Sequence, residues 1–263
     1  MKVALGQFAV EREWRHNLAT CLRLMHEANA AAADLLVLPE AVLARDNRDP
    51  DWGVNAAQPL DGPFISQLRA ASAEIDLTLA LTLHTPAGPG RVFNTLVVLR
   101  RGELLTHYHK LHLYDAFAMQ ESRRVTPGCE VPALVDVAGM KIGLMTCYDV
   151  RFPELARRLA LDGAQVLVVP AAWLRGPLKE AHWEILLSAR ALDNTCYVVA
   201  SGECGEKNIG SSMAVDPLGV VLARAAEVPA LIFAQLDEER LNHARRQLPV
   251  LENRRFESPQ LKR

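Results

Sequence analysis

Three ionisable side chains stand where apolar segments of the chain end. Glu40 ends "LLVLPE", Lys110 follows "LLTHYH", and Cys147 ends "KIGLMTC". Each segment is predicted to be a buried strand, and sites in α/β proteins are built at strand ends. A charged side chain beside an apolar strand is costly to bury unless it is paired. The three residues would therefore form a complementary set if the fold brings them together.

A carboxylate, an ammonium group and a thiol together support nucleophilic acyl transfer. A thiol with the ordinary pKa of about 8.5 is only a few per cent thiolate at neutral pH. A neighbouring cation favours the thiolate, and a carboxylate can accept the proton. The lysine can then stabilise an oxyanion, helped by backbone N–H groups at the turn after the cysteine. This chemistry requires neither a metal ion nor a histidine.

Each of the three residues also has a simpler interpretation. A single cysteine at the end of an apolar strand is usually a small core residue. Glu40 alone is typical of a turn, and Lys110 alone is typical of a solvated strand edge. Spacing does not show that the three residues meet, so the local pattern by itself favours packing for Cys147.

The elements that must position these residues alternate between helices and strands. Helices are predicted over residues 14–33, 62–75, 153–161, 178–194 and 238–247. Hairpins are predicted at Arg101-Gly102 and near Ala138-Gly139. Fully apolar strands indicate sheets covered on both faces, and the hairpins indicate mixed sheets. The pattern therefore predicts an α/β layered sandwich, with residues 1–263 as a single domain.

Composition disfavours several kinds of partner. The 263 residues include 29 basic and 31 acidic side chains, giving a net charge of −2. We expect no nucleic-acid partner, because no long basic stripe occurs. We expect no membrane span and no signal peptide either. Five scattered cysteines without a CxxC pair are typical of reduced thiols, which predicts a cytoplasmic protein.

Three segments resemble the signature blocks of the nitrilase superfamily of carbon-nitrogen hydrolases. They are "LLVLPE", "YHKLHLYD" and "GLMTCYDVRFPELAR", in the family's order. The resemblance implies that Glu40 is the general base, Lys110 stabilises the tetrahedral intermediate and Cys147 is the nucleophile. It makes the backbone N–H of Tyr148 the second oxyanion donor, and it implies that Glu121 orients Lys110 or the substrate. It implies no cofactor and no metal.

The resemblance covers roughly residues 1–236 and implies a four-layer α-β-β-α sandwich. In such proteins subunits pair so that the sheets extend, which predicts a homodimer or a higher homo-oligomer. The charged tail, residues 252–263, either reaches a neighbouring subunit or is a frayed end, and the sequence leaves both open. A non-catalytic scaffold or redox sensor with this fold is the alternative of another class, and the intact Glu40, Lys110 and Cys147 set argues against it.

The substrate is expected to be a small amide that carries a carboxylate. "CYDVRFPEL" and "HWEILLSARALDNTCYVVASGECG" look most like the amidases that cleave deaminated glutathione into 2-oxoglutarate and Cys-Gly. The alternative is an ω-amidase acting on 2-oxoglutaramate, or another small-amide or carbamoyl hydrolase. Arg151 either contacts the substrate carboxylate or forms a structural ion pair with Asp149. Arg175 and Lys179 are weaker candidates than Arg151, and they are considered for holding a second carboxylate.

Other residues suggest chemistry but receive structural interpretations. His107, His109 and His112 hint at a metal site, yet no suitably spaced carboxylate accompanies them, so structural roles are favoured. Arg123 and Arg124 are expected on the surface. The remaining cysteines are assigned no function: Cys21, Cys129, Cys196 and Cys204.

Overall fold

The computed structural model describes residues 1–49 and 51–262. It contains two six-stranded sheets with helices on their outer faces. The strands are β1 (Lys2–Gln7), β2 (Leu35–Val37), β3 (Thr78–Gly88), β4 (Arg91–Arg100), β5 (Glu103–His109), β6 (Val135–Val137), β7 (Met140–Leu144), β8 (Val166–Ala171), β9 (Tyr197–Gly202), β10 (Met213–Val215), β11 (Val221–Arg224) and β12 (Ala230–Gln235). The helices are α1 (Trp14–Ala30), α2 (Trp52–Asn55), α3 (Pro63–Ala73), α4 (Pro153–Leu161), α5 (Lys179–Asn194), α6 (Glu238–Gln247) and α7 (Val250–Asn253).

Both sheets are mixed and follow the same plan. The strand order is β12-β1-β2-β3-β4-β5 in the first sheet and β11-β10-β9-β8-β7-β6 in the second. In each sheet three central strands run parallel, β1-β2-β3 and β7-β8-β9. The outer strands pair antiparallel through hairpins and through β12. The predicted mixed α/β sandwich is confirmed.

The strands are apolar throughout because both faces of each sheet are covered. In β1, Val3 and Leu5 join the apolar core between the two sheets, whereas Ala4 joins the cluster formed with α1 and α3. Successive side chains point to opposite faces of a strand, so each strand needs apolar residues at every position. Helices α4 and α5 cover the outer face of the second sheet, which completes the four layers.

The predicted turns and most helices agree with the structure. Arg101 and Gly102 have φ of 48° and 79°, and Ala138 and Gly139 have the same pair of values. Positive φ at both central residues is the geometry of type I′ hairpin turns. The helices predicted over 153–161 and 238–247 are α4 and α6.

The differences lie in short segments. The strand predicted to run to residue 147 ends at Leu144, and a 3-10 turn then spans Cys147–Arg151. The helix predicted over 14–33 ends at Ala30, and the helix predicted over 62–75 spans Pro63–Ala73. The prediction missed α2, α7 and the 3-10 turn Glu121–Arg123, because a single turn is too short to show a hydrophobic period.

The C-terminal tail packs partly on its own subunit. The guanidinium of Arg158 in α4 donates to the carbonyl of Pro259 at 3.4 Å, while Phe256 is 89% exposed. The last residue of the predicted tail, Arg263, lies outside the described residues. Across residues 1–49 and 51–262, no helix combines the length and apolar character needed to cross a bilayer.

Candidate active site

The ends of three strands meet at one edge of the sandwich. Glu40 follows β2, Lys110 follows β5, and Cys147 lies beyond the end of β7. The backbone N–H of Glu40 donates across to the carbonyl of Ala171 in β8, at 3.3 Å. This contact links the first sheet to the second directly at the site. Stacking of the two sheets therefore brings together residues that are far apart in the chain.

Lys110 bridges two glutamates. Its Nζ lies 2.9 Å from Glu40 Oε1 and 2.9 Å from Glu121 Oε2, with Glu121 Oε1 at 3.2 Å. The lysine side chain is only 2% exposed. A buried ammonium is tolerated where carboxylates pair with it and accept its hydrogen bonds. The structure thus brings Lys110, Glu40 and Glu121 into one cluster, and the Glu121 contacts fix the direction of the lysine.

Glu40 is held by donors at both oxygens. Asn94 Nδ2 donates to Oε1 at 2.7 Å, and the backbone N–H of Ala172 donates to Oε2 at 2.8 Å. Burial by itself raises the pKa of a carboxyl group, but the charge of Lys110 and the hydrogen bonds from Lys110 and Cys147 outweigh it. The pKa of Glu40 is therefore lowered, and the group is a carboxylate at neutral pH.

Cys147 begins the 3-10 turn with a left-handed backbone, φ 44°. A residue other than glycine adopts this conformation at an energetic cost, and such strain clusters at functional sites. Burial and the adjacent charge of Glu40 raise the pKa of the Cys147 thiol well above its usual range, against the opposing effect of Lys110. Lys110 favours the thiolate, as expected, but burial and the charge of Glu40 outweigh its effect on the thiol pKa.

Asp149 anchors the turn that carries Cys147. It is fully buried, and its Oδ2 accepts from the Thr146 backbone N–H and the Tyr108 hydroxyl, each at 2.8 Å. Its Oδ1 lies 2.8 Å from His112 Nδ1. The structural role favoured for His112 is confirmed. The role of Asp149 was not predicted, although the Thr-x-x-Asp spacing of a capping box is visible in the sequence.

The proposed ion pair between Arg151 and Asp149 is not formed. Asp149 accepts hydrogen bonds from Tyr108 in β5 and from His112 just after β5, and Arg151 is not among its partners. Its guanidinium carbon lies 4.8 Å from the ring centroid of Trp173, and Nη2 is 3.4 Å from His182 Nδ1.

A cavity of about 260 Å³ opens beside Cys147. Among the described residues, its lining comprises Glu40, Ala41, Arg45, Gly53, Val54, His84, Val92, Asn94, Lys110, Tyr114, Met119, Gln120, Glu121, Arg124, Val125, Cys147, Tyr148, Ala172, Trp173, Leu174 and Lys179. All three predicted catalytic side chains and Glu121 thus border the cavity. The Tyr148 N–H donates to no acceptor within the described part of the chain, so it is free to donate to a ligand.

The cations of the cavity differ from those predicted. Neither Arg151 nor Arg175 is among the described lining residues. Arg175 turns toward Glu180 in the first turn of α5, at 4.0 Å, with 41% of its side chain exposed. Lys179 lines the cavity, and so does Arg124, which was expected on the surface and is paired with Asp51.

An ion pair between the partly exposed Arg45 and the buried Glu203 borders the site, and the sequence did not predict it. Arg45 lines the cavity, and its Nε lies 2.8 Å from Glu203 Oε2. Its Nη2 also donates to the Glu40 carbonyl at 3.3 Å. Burial raises the pKa of Glu203 although Arg45 opposes this effect. No motif in the sequence signals this pair, because it forms between distant loops.

Histidines of β5 have ordinary partners. His109 Nδ1 lies 3.0 Å from Thr95 Oγ1, and its ring stacks on Phe93. Throughout residues 1–49 and 51–262, no group of three or more His, Cys, Asp or Glu side chains is arranged to hold a metal ion.

Comparison with known proteins gives a consistent set of matches. The family model described as carbon-nitrogen hydrolase matches residues 2–246. The deaminated glutathione amidase of Escherichia coli O157:H7 is 58% identical over 261 residues, covering 99% of this chain and 100% of that protein. The human deaminated glutathione amidase is 37% identical over 273 residues, covering 96% and 82%.

A solved structure is similar over nearly the whole chain. It is a mutant of the amidase from Nesterenkonia sp. AN1, with covalent addition of the acetamide moiety of fluoroacetamide at its active site cysteine. It superposes with a TM-score of 0.79 at 27% identity, covering 97% of this chain and 94% of that one.

Proposed function

Because the chain belongs to the carbon-nitrogen hydrolase family, we propose that it is a cysteine-dependent amidase whose substrate is deaminated glutathione. The products are 2-oxoglutarate and Cys-Gly. The observation that carries the proposal is the buried cluster in which Lys110 bridges Glu40 and Glu121 beside Cys147, at the wall of a cavity. The substrate assignment is supported by the 58% identical relative, which is a deaminated glutathione amidase by name.

Acylation begins from a neutral thiol and an ionised carboxylate. The sulfur of Cys147 attacks the amide carbonyl carbon while its proton moves to Glu40, the general base. Negative charge then develops on the carbonyl oxygen. Lys110 Nζ and the free Tyr148 N–H stabilise that charge. The C–N bond breaks as Glu40 returns the proton to the leaving nitrogen, which leaves a thioester on Cys147.

Deacylation uses the same groups in reverse. Glu40 takes a proton from water, and the hydroxide attacks the thioester carbonyl. The sulfur leaves and recovers the proton from Glu40, which releases 2-oxoglutarate. Glu121 acts by holding Lys110 in position through two hydrogen bonds.

The test is a panel of amides assayed with wild type and Cys147→Ala. We expect the highest kcat/KM for deaminated glutathione and loss of turnover in the variant. A clear preference for 2-oxoglutaramate would instead identify an ω-amidase. Full activity in Cys147→Ala would refute the mechanism.

A non-catalytic scaffold or redox sensor predicts a different result. A nucleophile within this cluster should react with iodoacetamide faster than the other thiols, although Cys147 is buried and Cys129 is exposed. Equal labelling of all accessible cysteines, measured by mass spectrometry, would favour the scaffold.

Assembly and location are part of the same proposal. We propose a homodimer or higher homo-oligomer of single-domain chains in the cytoplasm, without a nucleic-acid partner. Support comes from apolar side chains exposed on α5 and β11, including Ile185 at 64% and Leu222 at 44%, and from Phe256 in the tail. All five cysteines are free, as expected in a reducing compartment. Light scattering of wild type and Ile185→Asp tests the assembly, and cell fractionation tests the location.

A further inference from the structure

Lys179 is a buried ammonium group with more donors than partners. It begins α5, is 3% exposed and lines the cavity together with Cys147. Its Nζ makes one hydrogen bond, with the Tyr114 hydroxyl at 3.0 Å. Within residues 1–49 and 51–262, no carboxylate lies within 4.0 Å of it and no second acceptor is found. A lysine ammonium has three donors, so two are left over at a place where burial makes an unpaired charge costly.

Aromatic rings hold this ammonium in place. Nζ lies 4.7 Å from the ring centroid of Trp173, 4.7 Å from that of Phe117 and 4.9 Å from that of Tyr114. Cation–π contacts of this kind contribute about 0.5–2 kcal/mol each. They offset part of the desolvation cost and restrict the side chain, but a ring face leaves the remaining N–H donors without a strong acceptor.

A second cation faces the same indole. The guanidinium carbon of Arg151 lies 4.8 Å from the Trp173 centroid, and its buried Nε has no hydrogen-bond partner among the described residues. Burial and the charge of Arg151 together lower the pKa of Lys179. Two cations close enough to repel, with no counter-ion in the described chain, form the arrangement expected of an anion site that a ligand completes.

We propose that Lys179, with the Tyr114 hydroxyl, is the direct anchor for the carboxylate on the acyl half of the substrate. Arg151 reinforces the positive potential from outside the cavity lining. The chemical class recognised is the monoamide of a dicarboxylic acid, with the amide carbonyl at Cys147 and the free carboxylate at Lys179. This assignment rests on the proposed function and deepens it, because it names the side chain that selects the acyl group.

The kinetic test compares amides with and without the acyl-half carboxylate. Glutaramate and 2-oxoglutaramate carry that charge, and pentanamide is the neutral counterpart of the first. We expect Lys179→Met to lower kcat/KM for both anionic amides by about 10- to 100-fold, mainly through KM, and to change pentanamide turnover by less than about threefold. Lys179→Arg should recover part of the loss. Lys141→Met, which removes an exposed lysine charge on β7, is the matched control and should match wild type.

Two kinetic outcomes would overturn the assignment. One is an equal loss for pentanamide and glutaramate, which would indicate a structural role for Lys179. The other is a loss confined to deaminated glutathione, whose amine half also carries a carboxylate; Lys179 would then read the wrong half of the substrate.

A binding measurement separates this inference from the proposed function. Calorimetry with glutarate and 2-oxoglutarate on Cys147→Ala needs no turnover. Adding Lys179→Met should raise the dissociation constants of both ligands by about 10- to 100-fold. Unchanged binding would refute the inference about Lys179 without refuting the proposed function. If wild type hydrolyses none of the anionic amides, the proposed function fails, while the binding result still decides the role of Lys179. Thermal unfolding of each variant verifies that it is folded.

Discussion

Replacing Glu40 by glutamine tests the proton transfer on which the mechanism depends. The side chains are nearly isosteric, but glutamine is neutral and has only one acceptor oxygen. Glu40 accepts from Lys110 and Asn94 at one oxygen and from the Ala172 N–H at the other. Either orientation of the amide therefore turns an NH₂ group toward a donor. We expect destabilisation of about 1–3 kcal/mol, the usual cost of an unsatisfied buried group.

The effect on catalysis should exceed the effect on stability. Removing a general base typically costs about 10²–10⁴ in rate. We therefore expect kcat of Glu40→Gln to be lower than that of wild type by about 10²–10⁴-fold. The folded fraction at 25 °C should stay near that of wild type. The acid sensitivity of stability should change as well. The pKa of Glu40 is lowered in the folded state, so its stabilisation is present above the unfolded-state pKa and is lost as pH falls through the folded value.

The decisive assay is the pH dependence of Cys147 alkylation by iodoacetamide. In wild type, Glu40 and Cys147 hold one proton between them, because the pKa of the carboxyl is lowered and that of the thiol is raised. The thiolate with protonated Glu40 is a minor form of that same protonation state, so the alkylation rate should be flat from about pH 6 to 8. In Glu40→Gln the rate should instead follow the titration of the thiol.

The reasoning would be refuted by a wild-type alkylation rate that rises tenfold per pH unit across that range. It would also be refuted by a Glu40→Gln enzyme that keeps its turnover within threefold of wild type.

Two further substitutions probe the supports of the site. Glu121→Gln replaces one of the two charged partners of Lys110 by a neutral one, and it should reduce kcat by about 10- to 100-fold with a smaller change in KM. Steady-state kinetics that show only a KM effect would assign Glu121 to substrate binding instead. Asp149→Asn should destabilise the protein by about 3 kcal/mol or more, because one amide oxygen cannot replace two carboxylate oxygens that receive hydrogen bonds from four groups. Tyr108→Phe removes one of those bonds and the acceptor of the Leu111 N–H, and it should cost only about 1–2 kcal/mol in urea unfolding. Similar losses for both variants would contradict this account of the turn.

Much of the fold was open to prediction because its signals are local. The hairpin turn at Arg101-Gly102 depends on residues that tolerate positive φ, and α4 begins at a proline suited to the first helical turn. Strands buried on both faces show as uninterrupted apolar runs. The end of β7 was misjudged, since Met145 and Thr146 are as apolar or as strand-compatible as the residues before them. The backbone N–H of Met145 still donates to the carbonyl of Val168 in β8, and the chain leaves the sheet at Thr146, whose N–H donates to Asp149 instead.

The residue types at the three strand ends, and the family motifs around them, were enough to single out Glu40, Lys110 and Cys147. The orientation, the protonation state and the neighbours of these side chains depend on contacts between distant segments. Lys110 points between two carboxylates only because β5 and the Glu121 turn pack against the loop after β2. The same stacking keeps the proton on Cys147, since burial and the Glu40 charge act on the thiol together.

The choice of cation shows the same division. Arg151, Arg175 and Lys179 are all basic residues near the predicted site, and the sequence ranked Arg151 first among them. Packing turns Arg175 toward Glu180, sets Arg151 outside the cavity lining and buries Lys179 inside it. A sequence pattern specifies which side chains are present and which segments form strands. The electrostatic role of a charged group depends on distances of a few ångströms across those segments, and only the packed tertiary structure sets them.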